Sequence, residues 1–299
     1  MWHTQTDSRT TCKPPPAHKL SDALRFRRRI ATVGVAALSA LALTCVPQAH
    51  AADRNLVIFG DSVVANPTAG EAVNAKLGLD PRGSSGLNTW CPQSRTNWGR
   101  LAAAQLALIP YDYSCTGTTT ISPSPKPFQG QIDRALREGA LTPETARVII
   151  TVGFNDTYKY PAGAEGDVRR RFVGYMAPQV ERIRAAAPNA RIQFVGYPKI
   201  TKDGKLCLVH VLPHASDWTP APDAARWEDL AQWMSIDAAR ATGTEFLDLK
   251  PSTWNNSMCA PDDQRMWAGL IDFTGDTRML PAHVNERGHR HVADVIAAS

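Results

Sequence analysis

Several features that would place a chain in a specialised class are missing from this sequence. No internal repeat is evident, and no long low-complexity linker divides residues 52–299. No two cysteines stand in a Cys-x-x-Cys pair, which argues against a structural zinc site. The hydrophobic content of 43% is ordinary for a chain that buries a core. A length of 299 residues suits one sizeable globular domain or two small ones.

A basic surface is also missing outside the first 51 residues. That segment holds seven of the 33 lysines and arginines but only two of the 28 acidic residues, so it accounts for the whole formal charge of +5. Residues 52–299 are therefore formally neutral. A neutral domain lacks the positive bias typical of proteins that bind a phosphate backbone, and we predict no nucleic-acid partner.

The first 51 residues have the plan of an export signal. A basic run, Arg25–Arg29, precedes the 17 largely apolar residues Ile30–Val46, and the small-residue site Ala49-His50-Ala51 follows. This order predicts a signal peptide over residues 1–51, cleaved near Ala51, on either the general or the twin-arginine route. A membrane anchor is the alternative, but the apolar run is shorter than the ~20 residues that span a bilayer. We predict a secreted, monomeric domain over 52–299 with no stable membrane span.

Four cysteines remain once such a leader is removed. They are Cys91, Cys115, Cys207 and Cys259. An even number in an exported protein predicts disulfides, and four cysteines allow three pairings. Three histidines, His210, His214 and His289, are only weak candidates for a metal site because the usual ligand spacing is missing. We predict no metal and no organic cofactor.

Strand-like and helix-like segments alternate along the rest of the chain. Apolar runs of strand type lie at 55–59, 147–152, 191–195 and 244–249, with a weaker one near 107–114. Helical patterns lie at 94–106, 128–139, 166–187, 222–242 and 285–298. This alternation predicts an α/β fold, a single three-layer α/β/α domain with a mostly parallel sheet of about five strands. In such sheets active sites form at the carboxyl ends of the strands.

Four short segments carry residues suited to acyl-transfer chemistry. Ser62 follows the first strand after a glycine that lets the chain turn sharply, Gly117 follows the weaker strand, Asn155 follows the strand at 147–152, and His283 precedes the last helix. Each alone has an ordinary structural explanation, such as a helix N-cap or a turn. Together they supply a nucleophile, a general base, and N–H groups for a developing oxyanion.

In this order the segments resemble the blocks of the SGNH, or GDSL-type, hydrolases, in particular the secreted lipases and esterases of actinobacteria. The matching residues are Gly60-Asp61-Ser62, Gly117, Gly153-Phe154-Asn155-Asp156, and His283 with Asn285 and Gly288, within residues 55–297. The resemblance implies a flavodoxin-like SGNH hydrolase fold and a serine hydrolase of small-molecule or lipid esters. It implies Ser62 as nucleophile, His283 as general base, and an oxyanion hole of the Ser62 and Gly117 N–H groups and the Asn155 amide.

The same resemblance implies how the cysteines pair. The segment Cys91-Pro92-Gln93-Ser94, followed by Asn97-Trp98, is similar to the family's segment ahead of its second helix. Its cysteine usually bonds the one in the glycine block, which here is Cys115. That pairing leaves Cys207 with Cys259, a bond that would fasten the insertion at 201–220 to the loop at 250–268.

One position departs clearly from the family's pattern. The family usually has an aspartate three residues before the catalytic histidine, and this chain has Leu280 there. The aspartate normally fixes the imidazole tautomer and stabilises the imidazolium. We expect the backbone carbonyl of Leu280 to orient His283, with Asp276 or Asp272 as substitutes. Val284 also replaces the proline that commonly follows the histidine.

Two alternatives to an ester hydrolase stay open at this point. An acyltransferase that moves an acyl group to a sugar or lipid alcohol would use the same Ser62 and His283. A catalytically inactive, secreted binding protein is favoured only by Leu280, and the complete set of Ser62, Gly117, Asn155 and His283 weighs against it.

Overall fold

The structure is a computed structural model that describes residues 54–77, 91–275 and 280–299. The predicted leader and Asp276 lie outside these residues, so both stay predictions. Among the described residues, no helix combines the length and the apolar character needed to cross a bilayer.

Nine strands and nine helices are defined in the described ranges. The strands are β1 (Asn55–Gly60), β2 (Ile109–Asp112), β3 (Arg147–Thr151), β4 (Arg191–Val195), β5 (Lys205–Leu206), β6 (Val209–His210), β7 (Thr219–Pro220), β8 (Glu245–Leu247) and β9 (Ile271–Asp272). The helices are α1 (Ser62–Ala65), α2 (Ala69–Lys76), α3 (Trp98–Gln105), α4 (Phe128–Arg137), α5 (Phe154–Thr157), α6 (Glu165–Ala186), α7 (Pro222–Thr242), α8 (Lys250–Thr253) and α9 (Glu286–Ala298).

A five-stranded parallel sheet forms the centre of the molecule, in the order β2-β1-β3-β4-β8. Strand β1 lies between β2 and β3, so that Val57 stands beside Tyr111 on one side and Val148 on the other. The predicted fold class is confirmed, and each of the five predicted strands is present in this sheet.

Helices cover both faces of the sheet, and alternate residues of β1 show why. Val57 and Phe59 pack in one apolar cluster with residues of α4, α6 and α7. Leu56 and Ile58 point the other way, into a second cluster with residues of α3 and α9. A strand that is buried on both faces is apolar along its whole length, which is why 55–59 gave a continuous apolar signal.

Two details of the fold differ from the sequence-based prediction. The helix predicted from 94 begins at Trp98, because the Asn97 side chain caps it by accepting a hydrogen bond from the Arg100 N–H at 3.0 Å. Four short helices, α1, α2, α5 and α8, were not predicted, since four to eight residues show too little of a 3.6-residue period.

Two small ribbons and two disulfides lie outside the main sheet. Strand β5 pairs antiparallel with β7, and β6 pairs parallel with β9. The disulfides join Cys91 to Cys115 and Cys207 to Cys259, which is the pairing that the resemblance implies. The second one links the segment that carries β5 and β6 to the chain that follows α8.

Candidate active site

The carboxyl ends of three neighbouring strands bring Ser62, Gly117 and Asn155 to one edge of the sheet. Ser62 follows β1 directly, Gly117 follows β2, and Asn155 follows β3. Backbone hydrogen bonds continue past the strand ends: the Asp61 N–H donates to the Thr151 carbonyl at 3.1 Å, and the Cys115 N–H donates to the Gly60 carbonyl at 3.0 Å. The three segments are therefore fixed to one another by main-chain pairing.

Ser62 is the first residue of the short helix α1 and is buried. The N-cap of that helix is Asp61, whose carboxylate accepts a hydrogen bond from the Val63 N–H at 2.9 Å. Capping is thus done by Asp61, and the Ser62 hydroxyl makes no hydrogen bond to the described part of the chain. As the first helical N–H, that of Ser62 also has no acceptor within the helix.

Gly60 is required here by close packing and not by a sharp turn, which corrects the sequence-based interpretation. A Cβ atom at this position would lie 2.4 Å from Val64 Cγ2 and 3.0 Å from the Thr151 carbonyl oxygen. The residue is the last of β1 and does not have a left-handed backbone. A side chain here would push α1 away from the strand end and displace Ser62.

Gly117 and Asn155 present N–H groups of different kinds. Gly117 is exposed, has a left-handed φ of 82°, and faces open space where a side chain would stand. The Asn155 amide donates to the Thr118 carbonyl at 2.9 Å, and its oxygen accepts from the Tyr158 hydroxyl at 3.3 Å. Because an amide nitrogen carries two hydrogens, one N–H of Asn155 remains available for a substrate oxygen.

Two buried side chains to which the sequence assigned no role hold these segments in place. Gln131 of α4 exchanges hydrogen bonds with both the N–H and the carbonyl of Gly60, at 3.0 and 2.7 Å, and donates to the Thr118 hydroxyl at 2.9 Å. The Asp156 carboxylate accepts four hydrogen bonds from residues 120–122, between 2.8 and 3.1 Å. Asp156 lay inside the recognised motif, whereas Gln131 gave no sequence signal.

Tyr197 connects the turn that holds Ser62 to the turn that holds Asn155. Its hydroxyl donates to the Asp61 carboxylate at 2.5 Å and accepts from the Phe154 N–H at 3.1 Å. Burial raises the pKa of Asp61 to about 7, and the hydrogen bond from Tyr197 partly opposes this shift. Tyr197 lies two residues beyond β4, so its position after a predicted strand was the signal that could have found it.

His283 is oriented by a backbone carbonyl. Its Nδ1 lies 2.8 Å from the Pro281 carbonyl oxygen. A carbonyl can only accept, so Nδ1 carries the proton and Nε2 keeps the lone pair that a general base needs. Burial lowers the pKa of His283 below its ordinary value of 6.5, and the hydrogen bond to Pro281 partly offsets this shift. The ring is therefore largely neutral at pH 7.

The carbonyl that orients His283 belongs to Pro281 and not to Leu280, which corrects the prediction. Ala282 has a left-handed backbone with φ of 57°, and its N–H donates to the Gly269 carbonyl at 3.0 Å. A non-glycine residue keeps this conformation only when its surroundings hold it there. The bend turns the Pro281 carbonyl, one residue beyond the predicted one, toward the imidazole.

Asp272 is not available as a substitute orienter. Both of its oxygens bind the Arg265 guanidinium, and they also accept from backbone N–H groups such as that of Gly269 at 2.8 Å. Burial acts to raise the pKa of Asp272, but the bonds from Arg265 and the backbone are stronger and hold it below its usual value. Both oxygens of Asp272 therefore stabilise the loop in which Asp272 lies.

The loop of His283 is tied to the helix that Ser62 begins. Asn66, the residue after α1, accepts from the Leu280 N–H at 3.1 Å and donates to the Val284 carbonyl. The structure therefore brings all four predicted segments to one region. Within the described residues, no group of three or more His, Cys, Asp or Glu side chains is arranged to hold a metal ion.

Comparison with known proteins defines the class. Residues 58–291 match the GDSL-like lipase/acylhydrolase family, so the chain belongs to this family and is a carboxylic ester hydrolase. An extracellular lipase from Streptomyces rimosus is similar in structure, with a TM-score of 0.55 and 16% identity over 82% of this chain and 99% of that one. A phospholipase A1 from Streptomyces albidoflavus NA297 has a TM-score of 0.51 and 16% identity, over 81% and 99%. At this identity the likeness shows the fold alone. No curated protein matches the chain.

Proposed function

We propose that the protein is a secreted esterase that cleaves carboxylic esters through an acyl-enzyme on Ser62, with His283 as general base. One observation carries the proposal. Ser62, Gly117 and Asn155 follow the carboxyl ends of three adjacent strands, and the loop that holds His283 is hydrogen-bonded to the helix that Ser62 begins.

Each residue has a defined task in this mechanism. The Ser62 Oγ attacks the ester carbonyl while His283 Nε2 takes its proton. The oxyanion is bound by the Ser62 N–H, the Gly117 N–H and the second N–H of the Asn155 amide. His283 then protonates the leaving alcohol, and water hydrolyses the acyl-enzyme by the same path. Throughout, the Pro281 carbonyl holds the Nδ1 proton and stabilises the imidazolium.

Substrate class and location rest on further features of the chain. Leu270 and Phe273, 58% and 76% exposed, follow Gly269, whose carbonyl binds the His283 loop. These two exposed apolar side chains favour an ester with a hydrocarbon acyl chain, in keeping with the lipase and phospholipase names of the fold neighbours. Export is supported by the leader-like residues 1–51 and by the two disulfides.

The direct test is hydrolysis of p-nitrophenyl esters, from acetate to palmitate, by the disulfide-bonded protein. We expect Ser62→Ala and His283→Ala each to lower kcat by about 10⁴-fold or more, and the double variant to lose little beyond either single one. A phosphonate ester should label the parent protein at Ser62, seen as a mass increase on the peptide that contains this residue.

Ser235→Ala is the matched control, because it removes a buried hydroxyl on α7 and should keep full turnover. Turnover that survives in folded Ser62→Ala would overturn the proposal. The chain-length profile of the parent protein would show whether it acts as an esterase on short esters or as a lipase on long ones.

A further inference from the structure

Asn66 is the residue at which the serine helix ends. Its side chain is fully buried, and its N–H closes α1 by donating to the Ser62 carbonyl at 2.9 Å. Its backbone is left-handed, with φ of 29° and ψ of 58°, a region that asparagine adopts more readily than most residues. Any movement of the Asn66 side chain is therefore coupled to the short helix that begins with Ser62.

The amide of Asn66 binds the backbone of the histidine loop at two points. Its oxygen accepts from the Leu280 N–H at 3.1 Å, and its nitrogen donates to the Val284 carbonyl. The nitrogen also lies 2.8 Å from His289 Nε2. The orientation of the amide follows from the two backbone partners, since a flipped amide would place oxygen against a carbonyl and nitrogen against an N–H.

These two points flank His283 in sequence, three residues before it and one residue after it. The remaining backbone bonds of the loop, Ala282 to Gly269, Ala268 to His283 and Asn285 to Met266, attach it to the chain that precedes it and not to the strand ends. Asn66 is thus a side chain that couples both flanks of His283 to the helix of Ser62. Within the ranges that the structure describes, no other hydrogen bond of these flanks makes that connection.

We propose that Asn66 is a positioning residue that sets the distance and angle between His283 and Ser62. In this chain Leu280 occupies the place of the usual aspartate, and its backbone N–H is used by Asn66. The Pro281 carbonyl orients the ring, and Asn66 places the loop that carries both. This inference rests on the proposed function of Ser62 and His283.

Small displacements at this point have large kinetic consequences. A general base acts over about 2.6–3.2 Å between heavy atoms, and a misplacement of about 1 Å can cost on the order of 10²-fold in rate. An acceptor-only group at position 66 would repel the Val284 carbonyl and loosen the loop. Ground-state binding of the ester would be little affected, because Asn66 lies under the loop and has no exposed atoms.

Two variants separate the amide from the backbone conformation. Asn66→Asp keeps the side-chain shape and the left-handed preference but loses the N–H donor. Asn66→Gly keeps the backbone conformation and removes the side chain, so the proposal can be judged on either variant that folds. Asn55→Asp is the matched control: Asn55 is also buried, and its amide donates to the Ala140 carbonyl at 2.8 Å, but it lies at the opposite end of β1.

We expect Asn66→Asp and Asn66→Gly to lower kcat by about 10- to 100-fold with KM within about twofold, measured well below the melting temperature of each protein. The rate constant for phosphonate labelling of Ser62 should fall by the same factor, since that step also needs His283. Asn55→Asp should lose stability but keep kcat. A kcat within twofold of the parent in a folded Asn66 variant, or a loss confined to KM, would overturn the inference.

The two levels of the proposal fail differently. If folded Ser62→Ala still turns over the ester, the proposed function is wrong. If Ser62→Ala is inactive while the Asn66 variants keep the parent kcat, the serine mechanism stands and only the role of Asn66 is wrong.

Discussion

The two halves of the candidate site are built in different ways. The serine half, Ser62, Gly117 and Asn155, is mounted on three strands whose backbones pair with one another. The histidine half, residues 280–285, lies outside the sheet and is held by main-chain hydrogen bonds to Met266, Ala268 and Gly269 and by the side chain of Asn66. The serine half is part of the central sheet, whereas the histidine half pairs with the segment 266–269 and is joined to the helix of Ser62 through Asn66.

This difference explains where the chain keeps its family's pattern and where it departs from it. The residues of the serine half match the family blocks without exception. In the histidine half, Leu280 stands in place of an aspartate, and a backbone carbonyl and an asparagine perform the positioning. A loop outside the sheet can be held by a different set of bonds, while a strand end offers few alternatives.

The largest effect we expect within the serine half, after loss of Ser62 itself, comes from Asn155. Asn155→Ala removes one oxyanion donor and should lower kcat by about 10²–10³-fold with little change in KM. Steady-state hydrolysis of a short p-nitrophenyl ester measures both constants. Asn189→Ala is the control, since its amide binds the Pro143 carbonyl at 3.0 Å away from the strand ends. A rise in KM with kcat unchanged would contradict the role of Asn155 in the oxyanion hole.

An intermediate effect is expected where one hydroxyl joins two parts of the serine half. Tyr197→Phe removes the bonds to Asp61 and Phe154, and we expect kcat to fall by about tenfold. The free energy of unfolding should fall by about 1–3 kcal/mol, because a buried polar group loses its partner. Urea unfolding measures the second effect.

Tyr113→Phe is the control for Tyr197→Phe. It also removes a tyrosine hydroxyl from a buried side chain, here one that donates to Glu138 at 3.0 Å. This variant should change stability only. Equal kcat in the two variants would show that main-chain pairing alone fixes the serine half.

The smallest effect is expected when the family's usual aspartate is put back. The Pro281 carbonyl already fixes the Nδ1 proton, so Leu280→Asp should change kcat by no more than about threefold. The acidic limb of kcat/KM should lie below pH 6.5 in the parent, because burial lowers the pKa of His283, and activity rises as the ring loses its proton. A carboxylate near the ring should move that limb to higher pH.

Leu212→Asp, at an exposed leucine, is the matched control for Leu280→Asp and should leave the limb unchanged. A tenfold or larger rise in kcat for Leu280→Asp would mean that the Pro281 carbonyl is a poor replacement for the aspartate.

The sequence was sufficient to predict the sheet and the serine half, but it was insufficient to predict how the histidine half is held. Runs such as 55–59 and 191–195 are apolar because both faces of each strand are covered, and the residues that follow them are fixed by topology. The Pro281 carbonyl was missed because its direction depends on the left-handed backbone of Ala282. An alanine in the sequence gives no sign of that conformation. Tyr197 and Asn66 form hydrogen bonds with residues 136 and more than 200 positions away in sequence. Hydrophobic periodicity carries no information about contacts at such separations.

Two carboxyl groups, Asp61 next to Ser62 and Asp272 in the segment before His283, give the two halves opposite responses to acid. With a pKa of about 7 in the folded protein and 3.8 as the ordinary value, Asp61 holds its proton in the native state over a range where the unfolded chain has lost it. Its contribution to stability is complete below pH 3.8 and is lost as the pH rises toward 7. Asp272, whose pKa is lowered, contributes above pH 3.8 and loses its contribution as the pH falls further. Strong acid therefore destabilises the loop that leads to His283, while the stabilising contribution of Asp61 next to Ser62 stays complete.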